Sequence, residues 1–479
     1  MRRTCNPWRC VVAVCALALA GEAQGQIVGW PEVYDPFRLL DLRITMAPGD
    51  LATIRSDTTF DIEKPAMFAL AGEEPIEVSI RRKSADPIGG KIAYKIDVNE
   101  YFDDQKWHGV RKLSLENGDD QDVISEGLAW HMHRQAAAML GNGYTSGFAN
   151  WATLTINGQS EGIYVNVEQV DKTFLKNHGI YQTRATWLYK QSDVSHPTLK
   201  VEPPDANLVN TTMEALDYSP FNNSGGLPTP DEATLAAQLP ELIDMDTMLT
   251  LGALDGFVGN GDALFSHGKN FYHADYVEGR RVYLPWDLDS TIRSTNLSVY
   301  GSDREEYTQI ILDHPVFRRQ FNEIMLDLLD GPLAADAIIA FLDQLEPVLT
   351  PALEADQNSK VGDDVAGHFE QLREWIVRRG DNVRGQLLAD LPMRGDANGD
   401  GVVDYHDYVV VRDNFGLLGG FADGDFDGDG FVGPEDYLLL KRRFGRGPVV
   451  VADALLPEPT TFGLLLFGAL PLLRWRRPR

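Results

Sequence analysis

The carboxylates of Asp262, Asp287 and Asp289, the amide of Asn270 and the ammonium of Lys269 lie in one short stretch of the chain, from Gly252 to Ser290. The stretch opens as an apolar helix, breaks at Gly259-Asn260-Gly261, and presents Asp262, Lys269 and Asn270 on a loop. Two strands are predicted next, Asn270–His273 and Arg281–Leu284, the second running into Pro285-Trp286-Asp287-Leu288-Asp289. Mg²⁺ takes hard oxygen ligands, usually one or two carboxylates, with phosphate and water completing its shell. An amide and paired carboxylates at a strand end suit a Mg-nucleotide site. The remaining carboxylate can then orient or deprotonate an attacking hydroxyl. Taken singly, Asp262 and Asn270 also read as turn residues, and Asp287 and Asp289 as caps.

A second constellation lies near the end. Residues 396–416 and 425–445 repeat one unit, D-x-[ND]-G-D-G-x-V followed by an acid at loop position twelve. The oxygens have the spacing of an EF-hand-type calcium loop. In the first loop Asp396, Asn398, Asp400, the carbonyl of Val402, Asp404 and Asp407 can converge on one Ca²⁺. In the second, Asp425, Asp427, Asp429, the carbonyl of Phe431 and Asp436 can do so, with water at Gly433. Gly401 and Gly430 stand where such a loop turns sharply. A solvated acidic linker has no need of this spacing, nor of the helix that follows each loop.

The elements that must position these groups come upstream. A strand and short helix are predicted around Pro48-Gly49-Asp50, then strands at 76–84, 91–98 and 110–115, with Lys95 in the second of these. An amphipathic helix over 122–140 carries Glu126, and Asn157-Gly158 between alternating segments marks a hairpin over 153–168. Residues 191–235 read as a long loop, and helices are expected at 238–258, 308–330, 334–348 and 364–388.

Both ends look like targeting segments. Arg2, Arg3 and Arg9 precede an apolar run and small residues up to Gly25, the pattern of a secretory signal peptide over 1–25. It contains all three cysteines, so the mature chain would have no thiol or disulfide. At the other end, Pro457-Glu458-Pro459 precedes a short apolar run and an Arg cluster. The net charge is −28, and the excess of acid grows once these basic ends are removed. Such a surface repels nucleic acid and anionic lipid headgroups.

Three resemblances follow from these motifs. The helix running into Gly259-Asn260 with Asp262, the Lys269-Asn270-Phe271 strand start and the PWDLD strand end resemble the CotH kinase family, the spore-coat-type atypical protein kinases. The resemblance extends to the hairpin GIYVNVEQVD and to WLYK at 187–190, over about 35–391. It implies an α+β fold, a two-lobed atypical protein-kinase-like domain. It implies ATP as phosphoryl donor, Asp262 as the catalytic carboxylate, and Asn270 and Asp287, supported by Asp289, on Mg²⁺. By kinase logic Lys95 would pair with Glu126 to hold the phosphates, with Lys190 as a further phosphate contact. The family usually carries Arg just before the helix acid, where this chain has Ser125.

The paired calcium loops over 394–446 resemble a type I dockerin, a small all-α calcium-binding module, which implies a cohesin-like partner. Tyr405-His406 and Pro434-Glu435 stand where cohesin-binding dockerins often carry small hydroxyl residues. Residues 456–479 resemble the PEP-CTERM sorting signal, which implies export, transient membrane anchoring and processing by an exosortase. Together these imply an exported kinase acting on surface or extracellular proteins, with no nucleic-acid partner. The alternative is a non-catalytic surface scaffold of the same fold that assembles through its calcium module.

Overall fold

The computed structural model describes residues 29–83, 91–118, 121–192, 197–218, 232–301, 311–390, 394–399, 402–427 and 430–445. The expected signal peptide and sorting signal, Asp400, Gly401 and Asp429 lie outside these residues. The chain divides into two compact units, with the boundary between 393 and 394.

In the first unit seven strands close into a barrel: β1 (Leu40–Thr45), β2 (Lys64–Leu70), β3 (Ile76–Arg82), β4 (Tyr94–Asp97), β5 (Lys112–Glu116), β6 (Ala149–Ile156) and β7 (Gln159–Glu168). Their order is β1-β2-β3-β4-β5-β7-β6, and β6 closes on β1 in parallel, from Leu40↔Ala152 to Ile44↔Ile156. Alternation sends Leu40, Leu42 and Ile44 inward and leaves Arg43 and Thr45 exposed. Phe68, Val78, Ile80, Ile96, Leu115 and Leu154 fill the interior. The hairpin turn holds Asn157 and Gly158 at φ 51° and 79°, the left-handed pair that a two-residue β-hairpin requires. The small lobe predicted from separate strands, a helix and a hairpin is thus corrected to a closed barrel. Closure leaves no strand edge open.

Helices α1 (Pro48–Ser56) and α2 (Val123–Met139) belong to the barrel segment, and α3 (Lys172–Asn177) follows it. A second sheet has the order β11-β10-β8-β9, from β8 (Thr186–Gln191), β9 (Thr198–Val201), β10 (Phe271–Tyr276) and β11 (Val282–Pro285). Around it stand α4 (Thr211–Tyr218), α5 (Glu232–Leu242), α6 (Met245–Val258), α7 (Pro315–Leu329), α8 (Ala335–Ala355) and α9 (Val365–Asp390). One apolar core joins these helices, the sheet and the inner face of α2. The predicted helix over 238–258 is two helices, because the Asp244 carboxylate accepts the Thr247 N–H and starts α6 anew. The long loop over 191–235 contains β9 and α4.

One buried ion pair fastens the helices to the barrel. Asp356, just past α8, accepts from the Lys91 ammonium at 2.8 Å and from the Ile163 N–H at 2.9 Å. Gly162 makes room for it: a Cβ there would lie 2.2 Å from the Asp356 carboxylate.

The second unit holds α10 (Tyr405–Asn414) and α11 (Pro434–Arg443). Ala397, Val403 and Val411 from one repeat and Phe426, Val432 and Leu440 from the other form its buried apolar set. The repeats are cross-linked reciprocally: the Gly416 N–H donates to Val432 O, and the Gly445 N–H to Val403 O.

Candidate functional site

The site is built where strand ends of the barrel and of the second sheet meet. Lys83 lies one residue past β3, its N–H bonded to Ala93 O. Its ammonium pairs with the Glu116 carboxylate at the end of β5, which also accepts the Ser114 hydroxyl at 2.9 Å. The same ammonium lies 4.9 Å from the centre of the Trp286 ring, and that of Lys190, on β8, lies 5.3 Å from it. Two cations therefore face one indole, within reach of its quadrupole. Burial works against the Lys83 charge, but Glu116 and Asp287 outweigh it and hold its pKa above the usual value. Lys190 is lowered to about 8, first by burial and then by Lys83.

Asp287 follows Trp286 at φ 61°, a left-handed conformation uncommon outside glycine and concentrated at functional sites. Asn270, at φ 57°, immediately precedes the Phe271↔Pro285 rung and so stands beside this strand end. Burial raises the Asp287 carboxyl above its usual range, Lys83 and Lys190 pull it down, and Glu116 and Asp262 push it up.

Glu126 comes in from the first turn of α2. The Asp122 carboxylate caps that helix, accepting the N–H groups of Ile124 and Ser125 and the Ser125 hydroxyl at 2.7 Å. Ser125 is thus committed to the cap. Gly127 packs directly on Trp151, whose ring a Cβ would meet at 2.2 Å, and Trp151 donates its indole N–H to Val123 O. One turn on, Trp130 meets Trp286 edge to face at 6.4 Å. This stacking aims Glu126 at the Asp287–Asp289 segment. It is 1% exposed, and neither carboxylate oxygen has a hydrogen-bond partner. Burial raises its pKa well above the usual carboxylate range, and Glu116, Asp289 and Asp287 add to that.

Asp262 sits on the loop after α6. Gly259 ends the helix at φ 70°. The buried Asn260 side chain then ties the loop down, donating to Asp255 at 3.0 Å and accepting the Asp262 N–H at 3.1 Å. The Asp262 carboxylate meets Lys269 at 3.0 Å and His267 at 3.3 Å. It can accept a proton from a hydroxyl brought beside it, with Lys269 placed to balance the charge.

Lys95 does not join this group. It faces Arg81 and Ser114 across the ladder, and its charged neighbours are Lys112, Arg81, Lys83 and Asp97. Burial, then Lys112, lowers it to about 8. The expected pairing of Lys95 with Glu126 is not found: the lysine acting on Glu126 is Lys83, and the carboxylate that Lys83 pairs with is Glu116. Lys83 and Lys95 point from the same barrel face, two rungs apart; alternation fixes the face but not the rung. The sequence signal for Lys83 was its place at a strand end, beside the break at 87–90. The carboxylates assigned to Mg²⁺ and the buried, unpartnered oxygens of Glu126 fit a divalent cation at this strand end.

In the second unit the carboxylates of Asp425, Asp427 and Asp436 each place an oxygen within 4.8 Å of the others. Asp436 turns back into its loop and accepts the N–H groups of Phe426, Asp427 and Gly433. Asp407 does the same for Asn398 and Asp404. Asp396 is buried and accepts the Gly399 N–H, while Asp404 caps α10.

The family described as CotH kinase protein matches residues 88–383, a stretch that includes Glu116, Glu126, Lys190, Asp262, Asn270, Asp287 and Asp289 and begins just after Lys83. No curated protein matches the chain.

Proposed function

The chain belongs to the CotH kinase family, and from that premise we propose that it is an exported protein kinase. It would transfer the γ-phosphoryl group of ATP to a hydroxyl of a surface or extracellular protein. Lys83 and Lys190 would hold phosphate oxygens, and Asp287, Asp289 and Asn270 would hold Mg²⁺. When bound, Mg²⁺ supplies charge neutralisation to the phosphate oxygens. Asp262 orients the acceptor hydroxyl and takes its proton as the new O–P bond forms and the β–γ bridging bond breaks. The observation that carries this reading is the convergence of Lys83 and Lys190 on Trp286, next to Asp287, with Asp262 near enough to shift the Asp287 pKa.

In this reading the second unit binds Ca²⁺ through its paired loops and docks the enzyme to a cohesin-like partner. The ends direct export and exosortase processing. An alternative, a scaffold of the same fold that transfers nothing, draws on Ser125, whose hydroxyl donates to the Asp122 cap of α2 at the position where the family resemblance implies Arg. Thermal unfolding of the full chain with and without millimolar ATP·Mg²⁺ separates the two. A kinase is stabilised by the nucleotide and labels itself or a surface protein from γ-labelled ATP. Absence of both effects would leave the scaffold.

A further inference from the structure

Packed proteins leave few spaces larger than a water molecule. One opens beside the loop that carries Asp262, with an empty volume of about 520 Å³, its open mouth included. Asn260, Gly261 and Ala263, the residues on either side of Asp262, line it, and Phe265 and Ser266 continue the same wall. Neighbouring Cα atoms are about 3.8 Å apart, so this wall begins within one residue of the catalytic carboxylate. Helix α6 closes the floor with backbone alone. A Cβ on Gly256 would lie 2.4 Å from Val299 O, and one on Gly252 would lie 2.1 Å from the Phe265 ring.

The facing wall, Leu297 to Val299, is held from one side of α9. Trp375 donates its indole N–H to Arg293 O at 2.8 Å. The fully buried Arg379 donates to Thr295 O at 2.9 Å and Leu297 O at 2.6 Å. It also donates to Gly256 O and Phe257 O at the end of α6. Gln386 donates to Leu297 O and accepts the Val299 N–H. One helix face therefore sets the width of the cavity before any ligand arrives.

The polar groups that line the cavity are turned on one another. Asn260 donates to Asp255 at 3.0 Å, and the Ser266 hydroxyl donates to Asn260 O at 3.2 Å. The Ser298 hydroxyl oxygen accepts the Tyr300 N–H at 3.2 Å. What remains for a ligand is apolar: Ala263, Phe265, Val299 and the Leu297 side chain, which is 38% exposed. A charged group entering here would lose water and gain no partner. An extended peptide advances about 3.3 Å per residue. With a hydroxyl held at Asp262, the side chain one or two residues along reaches this space.

We propose that the cavity is an acceptor subsite, taking an apolar side chain one or two residues from the hydroxyl that Asp262 deprotonates. The proteins it selects carry a Ser or Thr close to an aliphatic or aromatic residue. This rests on the reading of Asp262 as the carboxylate that orients the acceptor.

The test uses the full chain with γ-labelled ATP·Mg²⁺ and a set of Ser-centred peptides. Each position within two residues of the Ser is varied among Ala, Leu, Phe, Asp and Lys. At one of them wild type is expected to show kcat/KM at least about tenfold higher for Leu or Phe than for Asp or Lys. Leu297→Asp puts a carboxylate in the cavity wall and leaves the bonds to Leu297 O in place. It is expected to erase that preference, mainly through KM, while ATP·Mg²⁺ stabilises it as it does wild type. Ser298→Phe fills the space from an exposed position and should do the same, which covers the case in which the first variant folds poorly. A flat profile in wild type, or an apolar preference unchanged in both variants, would overturn the proposal. Stabilisation by ATP with transfer to none of the peptides would overturn it too, since the cavity would then admit no acceptor. A chain that ATP does not stabilise fails the kinase reading itself and takes this one with it. One that ATP stabilises, but that shows no apolar preference, keeps the kinase reading and loses the subsite.

Discussion

Lys83 and Trp286 are stacked, ammonium over indole at 4.9 Å, and this contact joins the end of a barrel strand to the end of a strand in the second sheet. Cation–π contacts contribute about 0.5–2 kcal/mol, more as they lose water. The larger consequence is positional: one residue past Trp286 stands Asp287, so the Lys83 ammonium and the Asp287 carboxylate are both placed by one ring.

Lys83→Met should therefore abolish stabilisation of the full chain by ATP·Mg²⁺, and Lys95→Met should leave most of it. Thermal shift with titrated nucleotide measures both. Equal loss in the two variants would return the phosphate role to Lys95.

Asp262→Asn should bind ATP nearly as well as wild type and transfer phosphate about 10²–10⁴-fold more slowly, since a positioned base acts on the transition state. Single-turnover transfer from labelled ATP gives the rate, and thermal shift the binding. Unchanged transfer would remove Asp262 from the chemistry.

How much of this was legible follows from what is local. The Asn157-Gly158 hairpin and the PWDLD strand end are local signals, and the structure contains a turn and a strand end at those places. Strand β2, KPAMFAL, begins with Lys-Pro and alternates poorly, so its strand character comes from its neighbours on both sides. The helix expected over 334–348 is shorter than α8, which continues past Pro351 to Ala355, with Leu349 and Leu353 buried. The choice between Lys83 and Lys95 needed the rung, which is set by pairing with distant strands.

Asp255 gives the fold a pH dependence. Burial lifts its carboxyl from 3.8 to about 7, against the hydrogen bond from Asn260. The neighbouring His133 is pushed down to about 3 by burial and stays neutral. A raised acid holds its proton more tightly in the folded chain. Its contribution is full below about pH 4 and is lost as pH rises through about 7. Wild type should lose stability relative to Asp255→Asn across that window, by up to about 4 kcal/mol. Denaturant unfolding at about pH 5 and about pH 8 measures it. A difference that does not move with pH would mean that Asp255 ionises normally in the fold.

Lys91→Met should destabilise the first unit by about 3–5 kcal/mol, because it strands the Asp356 carboxylate in the interior. Replacing both partners by apolar residues should recover much of the loss. Chemical denaturation of the two variants provides the comparison, and a double variant no better than the single would contradict it.

Ca²⁺ should protect residues 394–445 of the full chain from limited proteolysis. Empty loops repel themselves, and the apolar set they enclose is small. Asp396→Ala combined with Asp425→Ala should remove the protection. Mg²⁺ should replace Ca²⁺ poorly, since it demands a tighter octahedral shell. Cleavage at the same rate in chelator and in calcium would rule out a calcium-folded module.

The parallel seam of the barrel, Leu40 beside Ala152, bears on how the chain assembles. Strand β1 leads the barrel in sequence, yet one of its two partners, β6, is not synthesised until β2 to β5 and α2 have been made. Long-range pairing of this kind is slow, since loop entropy is lost before the contacts form. Until the seam closes, β1 and β6 each carry an unpaired ladder edge, the kind that recruits other chains. The first strand is therefore paired on one side with β2 while its other edge waits for β6.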